Sequence, residues 1–294
     1  MNPDIRIALG LPHCPWDPHR TKSFARLRGQ LGITANSDTC EHAHDVAVFA
    51  DVGPQPNWVW SGKLWDWAAG LPSEGPAAPT HLLQVQDDVV VAPAFWGILN
   101  AMLTAVPDQI ISLFTIYPHA QQLSQMGARW MTTTDWMTGP AYVMPMADLR
   151  AFHVWRAALR PGAIQAVNED TLLGLFCAAT GRRVWNPLPA PVDHDASLPS
   201  NYGNDHAGNN RASYTWRQWS PSDLHSMERP EFWVPTNPVP GSSGIAPHFG
   251  RAYPFTPASF CRWVPEGADH GGMTWDQRIV QIERDIVRTE VTPR

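Results

Sequence analysis

Short apolar, β-branched runs alternate with segments of helical period over the first two thirds of the chain, and this alternation constrains the fold more than any other feature. The run 5–9 closes on Gly10 and Pro12, and 21–31 then carries Phe24, Leu27 and Leu31 at helical spacing. A second strand at 45–49 holds Val46 and Val48 ahead of the turn Asp51-Val52-Gly53-Pro54, and 58–69 reads as a helix. His81–Val85 reads as a central strand, 94–105 as a helix and 109–114 as another buried strand. An irregular stretch at 131–145 contains Gly139-Pro140. After it come a helix at 146–159 with Leu149, Phe152 and Trp155 on one face, a helix at 169–179 capped by Asn168 and ended by Gly181, and a short strand at 183–185. Strands alternating with helices predict an α/β fold with a mostly parallel sheet, whose ligand crevice lies at the carboxyl ends of the strands.

Composition narrows the class. Hydrophobic residues make up 44% and charged residues 16%, which excludes a disordered polyelectrolyte and a coiled coil. A net charge of −6 excludes a chain that coats nucleic acid by charge alone. Of the 21 basic residues only Lys22 and Lys63 are lysines, so arginine, a bidentate phosphate ligand, supplies the rest. Cys14, Cys40, Cys177 and Cys261 are too scattered for a disulfide framework, and no charged and apolar leader opens the chain, so a reducing cytoplasm is expected. The most apolar stretch, 89–106, is interrupted by Pro93, Gly97, Asn100 and Thr104 and reads as a strand end and a core helix rather than a membrane span.

Composition shifts near residue 186, where proline, serine, glycine, asparagine and aromatic residues take over up to 265. With 29 prolines and 15 tryptophans in the chain, the tail reads as long ordered loops. The expected organisation is a catalytic domain at 1–195 and an aromatic-rich extension at 196–294, ending in a short helix with Ile279, Ile282 and Ile286 as its stripe.

Three segments could carry chemistry. Gln86-Asp87-Asp88 ends a hydrophobic strand, where adjacent carboxylates are costly to desolvate unless a cation or donors compensate; a magnesium or manganese ion shared with substrate phosphates is one solution. Asn168-Glu169-Asp170 opens a helix, where a carboxylate suits capping or general-base work. Asp193-His194-Asp195 offers an imidazole between carboxylates, a possible metal ligand.

The order of these segments, with Thr138-Gly139-Pro140-Ala141 between them, resembles the nucleotide-sugar glycosyltransferases of the GT-A fold over about residues 5–195. That family carries a D-x-D-type metal site, a glycine loop, an x-E-D motif and a downstream histidine. The resemblance implies a GT-A-like, Rossmann-type sheet and a nucleotide-sugar donor, with Mn²⁺ or Mg²⁺ on Asp88 and His194. It implies Asp170 as the base with Glu169 in support, and donor contacts from Pro12, Arg20, Asp51, Asp87 and Gly139. Gly139-Pro140-Ala141-Tyr142 is similar to the acceptor-side loop of the family, which makes Tyr142 an acceptor contact. The chain departs from the family pattern in reading Gln-Asp-Asp where Asp-x-Asp is usual. The tail resembles those of phage-encoded glycosyltransferases, some of which modify hydroxymethylated pyrimidines in DNA. That likeness implies a DNA acceptor of the 5-hydroxymethylcytosine type, met by Arg211 and Trp216. Glycan or protein acceptors are the alternative, and from a different class, a non-catalytic carbohydrate- or nucleic-acid-binding protein.

Overall fold

A computed structural model describes residues 2–198, apart from residue 3 and the segments 35–38, 54–56, 116–119, 121–123, 125–127, 134–138, 160–168 and 196–197, together with the strand Trp233–Pro235. The order is β1 (Ile7–His13), α1 (Pro18–Gln30), β2 (Asp45–Ala50), α2 (Asn57–Ala69), β3 (His81–Val85), β4 (Val89–Val91), α3 (Phe95–Ala105), β5 (Ile110–Ser112), β6 (Trp130–Thr133), β7 (Ala141–Pro145), α4 (Met146–Ala158), α5 (Glu169–Thr180), β8 (Val184–Pro187), β9 (Val192–His194) and β10 (Trp233–Pro235). Eight strands form one mixed sheet in the order β10-β6-β8-β5-β7-β3-β1-β2. Strands β1, β2, β3, β5 and β8 share a direction; β7 runs against its neighbours β3 and β5, and β6 against β8. This is the α/β class expected, with a largely parallel sheet between helices.

Strand periodicity explains the layers. Leu9 and Leu11 of β1, Leu83 and Val85 of β3, Ile111 of β5 and Val143 of β7 face α1 and α3, joining Phe24, Leu27, Ile98 and Met102 in one core. Their alternates Leu82, Ile110, Tyr142 and Met144 face the other side and pack with Leu64 and Trp65 of α2, Phe152 of α4 and Phe176 of α5. Helix α2 lies so close to β1 that a Cβ on Gly10 would stand 2.7 Å from Leu64 Cδ1, so only glycine fits there.

Several boundaries differ from expectation for identifiable reasons. Strand β1 continues through Gly10 and Pro12 to His13, because its pairing with β3 stops at Gly10 while β2 follows it to the end. Beyond Gly10 it has an open edge, where proline costs no ladder bond. Helix α1 starts at Pro18, three residues earlier than its apolar period, with Asp17 capping the His19 and Arg20 amides. The stretch read as irregular holds β6 and β7. Gly139-Pro140 turns the chain into an antiparallel strand in the middle of the sheet, and its apolar run Ala141–Pro145 is buried throughout. Among the described residues no helix is long and apolar enough to cross a membrane. Asn168, most of the extension and its terminal helix lie outside the described residues.

Candidate functional site

Parallel strands β1, β2 and β3 end at one edge of the sheet, and each ends in polar residues: His13-Cys14, Asp51, and Gln86-Asp87-Asp88. Because β7 runs antiparallel to β3, its entry loop reaches the same edge, where the Gln86 amide donates to the Pro140 carbonyl at 2.9 Å. A small second sheet supplies the last element. Strand β9 pairs antiparallel with β4 so that His194 stands opposite Val89, directly after Asp88.

The two aspartates have different environments. Both oxygens of Asp87 are taken from β1 and α1: Oδ2 accepts the Cys14 amide at 2.7 Å and faces His13 Nδ1 at 2.9 Å, while Oδ1 receives Arg20 Nη1 at 2.7 Å. Asp87 thus ties β3 to the β1–α1 turn and presents no oxygen outward. Three donors occupy its two oxygens at 2% exposure. Asp88 Oδ2 meets the same Arg20 Nη1 at 2.9 Å and His194 Nδ1 at 3.3 Å. The Asp88 carbonyl also accepts the Asp195 amide at 2.7 Å, which pins the β9 end to it. Burial alone would lower the pKa of Arg20, but Asp88 and Asp87 outweigh it and the net shift is upward, so the guanidinium is a permanent charge between two carboxylates. Next to this group, Cys14 Sγ donates to Asp51 Oδ2 at 3.7 Å, and burial raises the Asp51 carboxyl.

A second polar group lies where α5 meets β3. Glu169 is 2% exposed, and its Oε1 accepts Gln86 Nε2 at 2.5 Å with Gln84 Nε2 farther off at 3.5 Å. Gly139 permits this approach, since a Cβ there would lie 2.9 Å from Glu169 Oε1. Asp170 follows with Cβ 3.5 Å from the same point, and it is half-buried where Glu169 is enclosed. Burial, with added repulsion from Asp170 and Asp88, pushes the Glu169 carboxyl well above the usual carboxylate range against the opposing Gln86 and Gln84 hydrogen bonds.

No protein-family model and no curated protein sequence matches this chain. Asp87, Asp88, Arg20, Asp51, Gly139, Glu169, Asp170 and His194 share the carboxyl edge of the sheet. Arg20 and Asp51 are 5% exposed, and Pro12 is buried within β1, so all three support the edge from within. Tyr142 departs from expectation: it is fully buried, with its hydroxyl receiving Trp65 Nε1 at 2.8 Å and donating to Gln84 Oε1 at 2.7 Å. An acceptor does not reach it, because the odd register of β7 aims position 142 into the helix layer. Arg211 and Trp216 lie outside the described residues. His13, Cys14, Gln84 and Gln86 were missed by motif reasoning. Gln86 was the legible signal among them, since an amide in the place of a carboxylate implies that something there needs a donor.

Among the described residues no three His, Cys, Asp or Glu side chains group to hold a metal. Among the described residues Asp88 and His194 are placed to share an ion, which would need its remaining positions filled from substrate phosphates. That is a fit of limited kind, and Arg20 already neutralises part of the same carboxylate.

Proposed function

We propose that this chain is a glycosyltransferase of GT-A-like architecture that takes a nucleotide-sugar donor. The observation that carries the reading is convergence: Gln86-Asp87-Asp88, Gly139, Glu169-Asp170 and His194 come from four distant segments and meet at one strand edge. The order of sheet neighbours, with one antiparallel strand inserted between β3 and β5, supports the same reading.

In an inverting transfer the acceptor hydroxyl attacks the anomeric carbon, its proton passes to a base, and the bond to the diphosphate breaks. Asp170 is suited to take that proton, being more open than Glu169 and at the first turn of α5. Departure of the diphosphate requires a preorganised positive charge. Arg20 supplies one fixed charge beside Asp88, and a divalent ion held by Asp88 and His194, when bound, supplies Lewis-acid neutralisation of the leaving group. The two arginine-bridged aspartates and Arg20 sum to a single negative charge, so a divalent ion leaves the centre net positive toward an anionic donor.

The acceptor side is read from a cleft of about 330 Å³ next to this centre, lined by His19, Lys22, Ser23, Arg26, Asp195 and Leu198. Arg26 is paired there with Asp195 at 2.8 Å, and Lys22 is one of the chain's two lysines. A basic cleft on an acidic protein favours a phosphate-bearing acceptor such as DNA with hydroxymethylated pyrimidines over a neutral glycan.

The test is transfer or hydrolysis of nucleotide sugars, with and without Mn²⁺, by the wild type, Asp88→Ala and Asp170→Ala. Loss of at least about 100-fold in each variant is expected, the usual range for a removed acid–base group. Equal activity in all three proteins removes the assignment. Incubation with hydroxymethylcytosine DNA and with unmodified DNA, followed by nucleoside mass analysis, decides the acceptor; a mass gain on neither removes the DNA branch.

A further inference from the structure

Helix α1 turns different faces to the core and to the cleft beside it. Arg20 is buried against Asp87 and Asp88, whereas His19, Lys22 and Arg26 are exposed and line the open space of about 330 Å³. Steps of three and four residues put these three side chains on one face of the helix. At about 1.5 Å per residue the stripe from His19 to Arg26 is about 10 Å long.

The donors of this stripe are largely uncommitted. The Lys22 ammonium and the His19 imidazole have no hydrogen bond or ion pair among the described residues. Arg26 gives Nη1 to Asp195 at 2.8 Å and Nη2 to Ser23 Oγ at 2.9 Å, and a guanidinium has five N–H groups, so three are left for a ligand. Its side chain is 41% exposed against 14% for Asp195, so the positive member of the pair is the one presented to solvent. Ser23, 3% exposed, also lines the cleft; its oxygen accepts Arg26, which leaves its own proton to donate. Other arginines are spoken for: Arg6 by the Ala78 carbonyl, Arg150 by those of Leu71 and Pro72, Arg156 by Asp66 and Arg182 by Asp148. On a chain of net charge −6, open positive groups gathered along one cleft select an anion.

We propose that the His19-Lys22-Arg26 face of α1, with Ser23, grips consecutive phosphates of one DNA strand, and that Arg26 fixes the strand's distance from the transfer centre. An isolated phosphate occupies one end of such a stripe, whereas a DNA strand carries a phosphate every 3.4 Å or so of helix axis, which sets about three along it. The link to the centre is Asp195: its carboxylate holds Arg26, and its amide donates to the Asp88 carbonyl at 2.7 Å, so one residue joins the gripped backbone to the end of β3. Contacts to phosphate position a strand without reading its bases, so the grip is blind to sequence and to base modification. The assignment rests on the DNA branch of the proposed function and adds to it the residues that hold the acceptor.

Fluorescence anisotropy of the full chain with a labelled DNA duplex, in the absence of any nucleotide sugar, reads the grip directly. Lys22 and Arg26 are two permanent charges, so log K should fall with log[salt] at a slope of about −2, about a tenfold loss of affinity between roughly 50 and 200 mM KCl. Lys22→Ala and Arg26→Ala should each make the slope shallower by about 1 and weaken hydroxymethylated and unmodified duplexes alike. Arg150→Ala removes the same charge from α4, which follows the far end of β7, and should leave the slope unchanged. Where Arg26→Ala does not fold, Lys22→Ala carries the test, since the Lys22 side chain holds nothing in place. Millimolar inorganic phosphate at matched ionic strength should leave the duplex bound. Failure of the wild type to bind, slopes unmoved in the cleft variants, an equal change in Arg150→Ala, or full displacement by phosphate each overturns the proposal. A chain that binds DNA with the expected slopes but transfers no sugar overturns the glycosyltransferase reading and leaves the grip standing, and one that transfers sugar to a glycan without binding DNA does the reverse.

Discussion

Replacing Asp87 by asparagine separates a structural aspartate from a ligand-binding one. Asp87 has three donors on two oxygens, from Cys14, His13 and Arg20. An amide has one oxygen, so either the Cys14 N–H or Arg20 Nη1 is left facing an NH₂ group. The guanidinium stays buried with Asp88 as its remaining counter-charge. Removing one partner of a buried pair costs about 3–5 kcal/mol, and the surviving Asp88 contact puts this case at the lower end, about 3 kcal/mol. That is roughly a 100-fold shift in the folding equilibrium, or a Tm lower by about 6–12 °C for a domain of this size. Urea unfolding followed by tryptophan fluorescence measures it, with an unchanged slope showing that stability alone has moved. An asparagine variant within about 0.5 kcal/mol of wild type, the ordinary scatter of surface substitutions, would refute the role given to Asp87.

Gly10→Ala pushes a methyl to within 2.7 Å of Leu64 Cδ1 and should cost about 1–3 kcal/mol in the same unfolding assay, with near-zero loss ruling out the tight β1–α2 contact. Tyr142→Phe strands the Trp65 N–H and Gln84 Oε1 and should destabilise by about 1–3 kcal/mol; a neutral result would mean the buried chain is not formed. Glu169 has a folded pKa raised above its unfolded value near about 4.3, so its stabilising contribution is complete below that pH and is lost as pH rises toward the folded value. Glu169→Gln does not titrate, and its stability relative to wild type should therefore climb between pH 4.5 and 8 in parallel denaturant melts; a constant difference contradicts a raised pKa.

What the sequence made legible was whatever depends on period and order. The strands at β1, β2, β3 and β5 were visible because short apolar runs are bounded by turn residues, and α3 and α5 because their apolar faces are broad. Asp88, Glu169, Asp170 and His194 were grouped because their order carries the family resemblance. What stayed hidden depends on which way a side chain leaves its strand. Tyr142 follows a loop that looks exposed, yet the antiparallel insertion of β7 opposite Gln84 of β3 places it in the core. Asp87 and Asp88 are adjacent and chemically identical in sequence, yet successive residues at a strand end turn in different directions, one into the His13-Cys14-Arg20 pocket and the other toward His194. Gln86 is the informative case. As a motif it counted as a missing carboxylate; as a donor 2.5 Å from an enclosed glutamic acid it is required. An amide at position 86 hydrogen-bonds the Glu169 carboxyl, which burial holds above the usual carboxylate range, where a second carboxylate would repel it.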